Sequence, residues 1–470
     1  MSNGQSFEAP LERAHAHALR YLHRLDMVSV AATAELEELR TRLGRPLATE
    51  GSPPDRVIDE LVADVEGGLI GSAGGRFFGW VEGGALPAPL AADWLTSAWD
   101  QNAASYAAGP AVAVIEEVCG AWLKDLLGLP ATASFAFTTG CQMAHTTALA
   151  AARHHLLAQR GWDVETKGLA GAPRIRIISS DQHHGSIYRA ARLLGLGSDA
   201  IRALPADGDG TLNSGSLEQA LRDSAGEATI VLLQAGDLNI GAFDAFADLI
   251  PAAHEHGAWV HVDGAFGLWA NTSKRYRHLL QGVERADSWA TDGHKWLNVP
   301  YDCGYAFVAH PQAHRDAMSQ HASYVSNHEL ARDQRDWNPE WSRRGRGVPT
   351  HAAIRQLGRS GIAMMVEASC LAAYALVTRL AAIPGVQMMW EPQINQGLVR
   401  FLDPRSDASD ADHDRYTDEI ALRVAQSGEA FFSNTTWRGR RCMRVSVCNW
   451  QTNESDIGRA VAAVRNALRC

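Results

Sequence analysis

Two short stretches hold the residues of this 470-residue chain best suited to chemistry. In W-V-H-V-D-G-A-F-G (Trp259 to Gly267) an apolar, strand-like run ends on an acid, Asp263, and two small residues follow, Gly264 and Ala265. Further on, S-W-A-T-D-G-H-K-W-L-N (Ser288 to Asn298) carries a His-Lys pair, His294 and Lys295. A carboxylate at the end of a buried strand can pair with a protonated pyridine nitrogen and hold the proton there. The charged ring then draws electrons from the carbon attached to the substrate nitrogen. A lysine amine in a run with few other charges is costly to bury. A Schiff base removes that cost and makes the catalytic group. Each feature alone is ordinary, since Asp-Gly ends many strands and lone lysines usually reach the surface. Together they predict an enzyme that uses pyridoxal 5'-phosphate (PLP), with Lys295 bonding its aldehyde.

Such a cofactor also needs an anion cradle. T-T-G-C-Q-M-A-H-T-T-A-L follows a strand-like run ending at Thr138 and leads into a helical pattern. There Gly140, Cys141 and Gln142 would present backbone N–H groups at a helix N-terminus, where free donors and the helix dipole favour phosphate. In S-D-Q-H-H-G-S (Ser180 to Ser186), again after a strand, an imidazole could stack on the exposed ring face.

The elements that must position these groups read as an alternating α/β pattern. Strand candidates are 134–138, 174–179, 229–234, 258–263, 288–291 and 304–308, with helix-period segments between most of them. This predicts a mainly parallel mixed sheet with its ligand beyond the carboxyl ends of the strands, where Asp263 falls. Residues 10–45 read as charged helix, Asp55 as the cap of a helix from Arg56 to Glu66, and the segment after the Gly-rich loop 72–87 as helix to about Gly109. A long helix over about 350–382 precedes a smaller α+β region, and 406–415 reads as an acidic, solvated loop. The expected organisation is an N-terminal helical segment (1–75), a large PLP-binding domain (76–346) and a small C-terminal domain (347–470).

Composition narrows the partners. Lys and Arg number 43 against 53 Asp and Glu, a formal charge of −10, which disfavours nucleic acid and anionic membranes. The basic cluster S-R-R-G-R-G (Ser342 to Gly347) reads as a loop docked on acidic neighbours or on a cofactor phosphate. Seven cysteines without C-x-x-C or zinc spacing indicate no metal site and a reducing compartment. With no apolar signal core and no unbroken run of about 18 apolar residues, a cytoplasmic location is expected.

The ordered segments T-G-C-Q-M-A, S-D-Q-H-H-G-S, Q-A-G-D-L-N-I-G-A-F-D, H-V-D-G-A-F-G and T-D-G-H-K-W resemble the group II PLP-dependent decarboxylases, which include the aromatic-L-amino-acid and glutamate decarboxylases. The resemblance runs from about Val57 to Trp450. It implies the type I PLP-enzyme fold and a homodimer with active sites at the subunit interface. Carried over by position, it makes Lys295 the cofactor-bonding lysine, Asp263 the partner of the pyridine nitrogen, and Ala265 and His184 the groups on the two ring faces. Gly140, Cys141 and Gln142 match the phosphate loop, with His294 assisting. Asn239 falls on the O3′ side of the ring. Arg444 matches an arginine that binds the substrate α-carboxylate, although an edge-strand arginine is an equal reading. Phe78 and Trp80, with Phe77 beside them, match a loop that lines the substrate pocket.

The implied reaction is decarboxylation of an L-amino acid to its amine and CO₂, with aromatic, other apolar or diamino side chains favoured over glutamate. One position departs from the family, which commonly has a tyrosine in the mobile loop to protonate the carbanion. The ungapped match places Gln334 there, and a glutamine cannot act as an acid near neutral pH. Tyr324 or a residue of the partner subunit would then substitute. Otherwise the chemistry would turn to oxidative decarboxylation to an aldehyde, or to aminotransferase or aldol-lyase reactions. A PLP-binding scaffold without turnover is the reading from a different class.

Overall fold

All six expected strands form, and a seventh joins them in one sheet. The computed structural model describes residues 6–320 and 331–469. Its strands in chain order are β1 (Phe77–Phe78), β2 (Ser134–Thr138), β3 (Ile175–Ser180), β4 (Ile201–Leu204), β5 (Ala228–Gln234), β6 (Trp259–Asp263), β7 (Ser288–Asp292), β8 (Gly304–Val308), β9 (Val386–Trp390), β10 (Gln396–Phe401), β11 (Phe431–Trp437) and β12 (Arg440–Ser446). The seven-stranded sheet runs β2-β8-β7-β6-β5-β3-β4, and only β8 opposes its neighbours. The strand missed by pattern, β4, is a short edge strand only partly buried, so its side chains lack the continuous apolar run of a central parallel strand.

Register brings the chemistry together. Gln234 of β5 pairs with Asp263, and Asp263 pairs with Ala290 of β7. The ends of β5, β6 and β7 therefore lie side by side, with Asp263 and Asp292 closing adjacent strands. The helix Cys141–Ala158 follows β2 and crosses β6, β7 and β8.

The second sheet, β1-β11-β12-β10-β9, belongs to the C-terminal part of the chain except for β1. Phe77 and Phe78 pair in parallel with Phe431 and Phe432, so these two residues, expected with the large domain, extend the C-terminal sheet instead. The helix Gly347–Ala381 joins the two cores: Ile354, Ile362 and Val366 pack with the large sheet, and Leu376, Val377 and Leu380 with the small one. It bends at Gly358, whose φ of +60° suits glycine. By length and mean hydropathy it could cross a bilayer; here one face lies in the two cores while Met364 and Leu371 are exposed.

Other local expectations are corrected. The charged stretch 10–45 is two helices, Glu8–Arg24 and Leu36–Leu43. Asp55 lies within the first turn of the helix Pro54–Asp64 and caps nothing; Pro53 is the N-cap. Helix after the Gly-rich loop stops at Trp99, and a second begins only at Pro110. The acidic stretch is largely helical: Asp410–Gln426 forms, started by a capping box between Ser409 and Asp412.

Candidate active site

The lysine turn is pinned from three sides. Asn298, buried and at φ +54°, a region asparagine tolerates, accepts hydrogen bonds at Oδ1 from Gly84 N (2.7 Å) and Trp450 N (3.0 Å). Its Nδ2 donates to Trp296 O (2.9 Å) and Cys448 O (3.1 Å). One side chain thus ties the Gly-rich loop, the lysine turn and the segment after β12 together. Gly83 approaches so closely that an added Cβ would lie 2.1 Å from Lys295 O.

Lys295 remains partly accessible, and its Nζ lies 3.1 Å from Asp292 Oδ2. Burial alone would lower its pKa, but the carboxylates of Asp292 and then Asp263 raise it above the ordinary lysine value. The other oxygen of Asp292 accepts the Cys141 N–H at 2.6 Å. His294 Nδ1 accepts from Cys303 N (3.1 Å), which places the ring proton on Nε2, 3.6 Å from Asp292 Oδ1. The His294 ring stacks on Tyr301 at 4.3 Å.

Asp263 is buried at the sheet's edge of the site. Its Oδ1 accepts from Ala265 N (3.1 Å), and its Oδ2 faces His145 Nε2 at 3.4 Å. Burial would raise its pKa, but the hydrogen-bonding His145 ring that faces it, then the charges of His184 and Lys295, hold it well below the carboxylate range. His184 is exposed at the mouth, with Nδ1 bonded to Ser186 Oγ (2.8 Å). Burial lowers its pKa, and it lies within electrostatic reach of Asp263, Lys295, His145 and Arg444. His183 turns inward, bonded to Ser180 O (2.6 Å) and packed on Tyr188.

Gly140, Cys141 and Gln142 open the helix Cys141–Ala158. Gly140 has φ +110°, and a Cβ there would meet His294 Cε1 at 3.2 Å. The Cys141 N–H is bonded to Asp292 and the Met143 and Ala144 N–H groups to Gly140 O, so the Gln142 amide in the first turn, with His294 alongside, is what this corner offers an anion. The donor set fits PLP: a helix-terminal amide for a phosphate, an ionised buried carboxylate for a ring nitrogen, and an accessible lysine between them.

The outer residues are more scattered. Asn239 bridges the two sheets, accepting from Thr435 Oγ1 (2.7 Å) and donating to Gln182 Oε1 (3.4 Å). Arg444 on β12 donates to Leu238 O (2.8 Å); its Nε has no partner, and burial lowers its pKa to about 10. Trp80 is about half exposed, beside Phe77 and Phe431. Phe78 is corrected: it is fully buried in the core of the small sheet, stacked on Phe432 at 5.2 Å, and lines no pocket wall.

Gln334 is fully buried, and its Nε2 donates to Ala113 O (3.3 Å) while its Oε1 accepts from Arg332. In this chain it packs against the helix Pro110–Leu127. Tyr324 lies outside the described residues. The basic cluster docks on acids, with Arg343 on Glu116, Arg344 on Asp93 and Arg346 on Asp302.

Pattern reading missed Asp292, His145, Asn298 and Glu82. Asp292 stood inside the quoted lysine motif, and a strand-end acid next to Lys295 was the available signal. The others act through partners far away in sequence.

Strand order, lysine turn and cradle define a PLP-dependent enzyme of fold type I. The model of the pyridoxal-dependent decarboxylase conserved domain matches residues 48–402, and the chain belongs to that family. The aromatic-L-amino-acid decarboxylase of Bacillus atrophaeus is 25% identical over 447 residues, covering 93% of this chain and 90% of the relative. The L-2,4-diaminobutyrate decarboxylase of Rhizobium meliloti (strain 1021) is 28% identical over 397 residues, covering 82% and 76%. The crystal structure of Oryza sativa TDC with PLP and tryptamine superposes with a TM-score of 0.93 at 23% identity, covering 100% of this chain and 98% of that one.

Proposed function

We propose that this enzyme decarboxylates an L-amino acid with a cationic side chain, of the 2,4-diamino type, to its amine and CO₂. When bound, PLP supplies the electron sink that accepts the pair left as the carboxylate departs. Lys295 would hold the cofactor through its amine. Asp263 would keep a proton at the cofactor's ring nitrogen, and Gly140, Cys141, Gln142 and His294 would hold the phosphate. Ala265, His184 and Asn239 would line the cofactor's pocket, and Arg444 would offer the substrate carboxylate a guanidinium whose Nε is unpartnered.

The observation that carries the side-chain preference is Glu82. It follows Trp80 in the loop that abuts the lysine turn, and no ion pair to it occurs among the described residues. Burial raises its pKa, and Lys295 is the cation whose charge opposes that rise. With Lys295 engaged by the cofactor, Glu82 would be the carboxylate left to face a substrate ammonium. The relative acting on 2,4-diaminobutyrate is consistent with this preference. An aromatic side chain is the second reading, favoured by the half-exposed Trp80 ring beside Phe77 and Phe431.

CO₂ release from purified holoenzyme tests both, with 2,4-diaminobutyrate, ornithine, lysine, phenylalanine, tyrosine and tryptophan as substrates. Higher kcat/KM on the cationic set supports the first reading, and preference for the aromatic set overturns it. Amine, aldehyde and peroxide are measured in the same reactions, and aldehyde as main product would favour the oxidative alternative.

We further propose a homodimer in the cytoplasm with active sites at the interface. Exposed Leu11, Leu19, Leu36, Leu61, Trp94 and Trp99 on the N-terminal helices offer apolar surface for a second copy. The six described cysteines are free thiols, as suits a reducing compartment. Sedimentation at micromolar concentration should give twice the chain mass; a monomer would count against the dimer.

A further inference from the structure

Four buried side chains form a continuous line of hydrogen bonds ending on Asp263. Trp259 Nε1 donates to Ser288 Oγ (2.9 Å), and Ser288 Oγ lies 2.9 Å from His261 Nδ1. His261 Nε2 lies 2.9 Å from His145 Nδ1, and His145 Nε2 faces Asp263 Oδ2 at 3.4 Å. Trp259 and His261 stand on β6, Ser288 on β7 and His145 on the cradle helix, and all four are at most 2% exposed.

The direction of the protons follows from the donors. An indole N–H can only donate, so one lone pair of Ser288 is taken. Burial lowers the pKa of His261 to about 3, leaving a neutral ring with one proton. If that proton sat on Nδ1, it would point at Ser288, and the hydroxyl hydrogen would lose the one acceptor this line offers it. His145 would then place its own proton on Nδ1 and aim a bare lone pair at the Asp263 carboxylate. With one proton on each ring, the opposite arrangement pairs the hydroxyl and all four ring nitrogens within this line: Ser288 O–H to His261 Nδ1, His261 Nε2–H to His145 Nδ1, His145 Nε2–H to Asp263. Leaving a polar group unsatisfied at such depth is costly, which selects this polarity.

We infer that His145 is a positioning residue for Asp263, with its tautomer set by His261, Ser288 and Trp259. The relay aims a donor at Oδ2 while Ala265 N–H occupies Oδ1. The carboxylate is thereby fixed in plane and kept ionised, the state that holds a proton on the cofactor's ring nitrogen. Cys141 Sγ, 3.4 Å from the same His145 nitrogen, stays a thiol because burial pushes its pKa up. It adds no competing charge. The inference rests on the cofactor assignment but not on which amino acid is the substrate.

The test uses full-length protein labelled with ¹⁵N-histidine, with and without PLP, together with H145L and H145Q. The expected signal, assigned by its loss in H145Q, is a His145 ring protonated at Nε2 and already present without PLP. In holoenzyme, H145L should shift the cofactor absorption band and its pH titration, and should lower turnover roughly tenfold or more with KM little changed. H145Q, which can present an amide N–H toward the same oxygen, should recover most of both. A His145 ring protonated at Nδ1 would overturn the relay. So would an H145L holoenzyme with unaltered spectrum and turnover, or an H145Q that melts like wild type yet is as impaired as H145L. Failure to bind PLP at all would instead count against the cofactor assignment, while the tautomer signal would still report the relay.

Discussion

Asp292 Oδ2 lies 3.1 Å from Lys295 Nζ while Asp292 Oδ1 receives the Cys141 N–H at 2.6 Å. A single carboxylate therefore holds both the nucleophile and the first amide of the phosphate cradle. Before the cofactor arrives it keeps the amine as an ammonium, which cannot attack an aldehyde.

The pH dependence of cofactor capture follows. Lys295 has its pKa raised, so free amine is scarce near neutrality and PLP uptake by apoprotein should accelerate as pH rises. Asp292→Asn removes the charge that raises the pKa and leaves the burial that lowers it. The rate–pH profile should move to lower pH, read by stopped-flow absorbance of PLP uptake. An unmoved profile would show that Asp292 does not control the amine.

Glu82→Gln should separate substrate classes. It should lower kcat/KM for diamino acids by roughly tenfold or more, the scale of a charge-assisted hydrogen bond, and leave aromatic substrates within about twofold. Because burial raises the Glu82 pKa, its charge is present above that pKa and lost as pH falls through it. Preference for cationic side chains should weaken on acidification in wild type and stay flat in the variant. Equal losses on both classes would refute the role.

Asn298→Ala should destabilise the fold around the lysine turn. It removes the acceptor of Gly84 N and Trp450 N and the donor to two carbonyls, and places alanine at a positive φ. Together these cost roughly 2–4 kcal/mol. Thermal melts of apo and holo protein should show the loss in both. A melting temperature within a degree or so of wild type would contradict the network.

The inner half of the site was legible from sequence because its signals are local. Asp263 ends a strand and Gly140 precedes a helix, features visible within ten residues. Trp259, Val260 and Val262 make the strand that delivers Asp263, an apolar run interrupted only by His261 and buried on both faces as a central parallel strand is. The outer half depends on long-range contacts. Phe78 looked like a pocket residue from its neighbours in the loop, yet it pairs with Phe432, more than 350 positions away. His145 gains its role only because the fold places β6, with His261 and Asp263, against its helix. Asp410 to Asp414 read as loop from charge density, whereas a capping box and the Arg400 guanidinium, bonded to Asp410 and Asp414, stabilise helix there.

The buried pair Glu116–Arg343 anchors the basic cluster. Arg343 Nη1 meets both Glu116 oxygens at 2.9 and 3.0 Å, and the guanidinium also donates to Ala103 O and Phe137 O. Glu116→Ala leaves that charge without its counter-ion and should cost about 3–5 kcal/mol. Replacing both residues by methionine should recover much of the loss, because it removes the buried charge itself. A double variant no more stable than Glu116→Ala would mean that Arg343 acts mainly through its backbone hydrogen bonds.

Gln334→Tyr distinguishes a chemical role at this position from a packing role. If the position supplied an acid, tyrosine there would raise the amine fraction of the product. In this structure Gln334 is fully enclosed, bonded to Ala113 O and Arg332, and its backbone carbonyl accepts from Asn338. A phenol is larger and cannot reproduce the amide's paired donor and acceptor. It should therefore overpack the site and destabilise by about 1–3 kcal/mol, leaving the amine-to-aldehyde ratio unchanged. Thermal melting and product analysis on the same preparation read both effects. A rise in amine with no loss of stability would place position 334 at the reacting carbon after all.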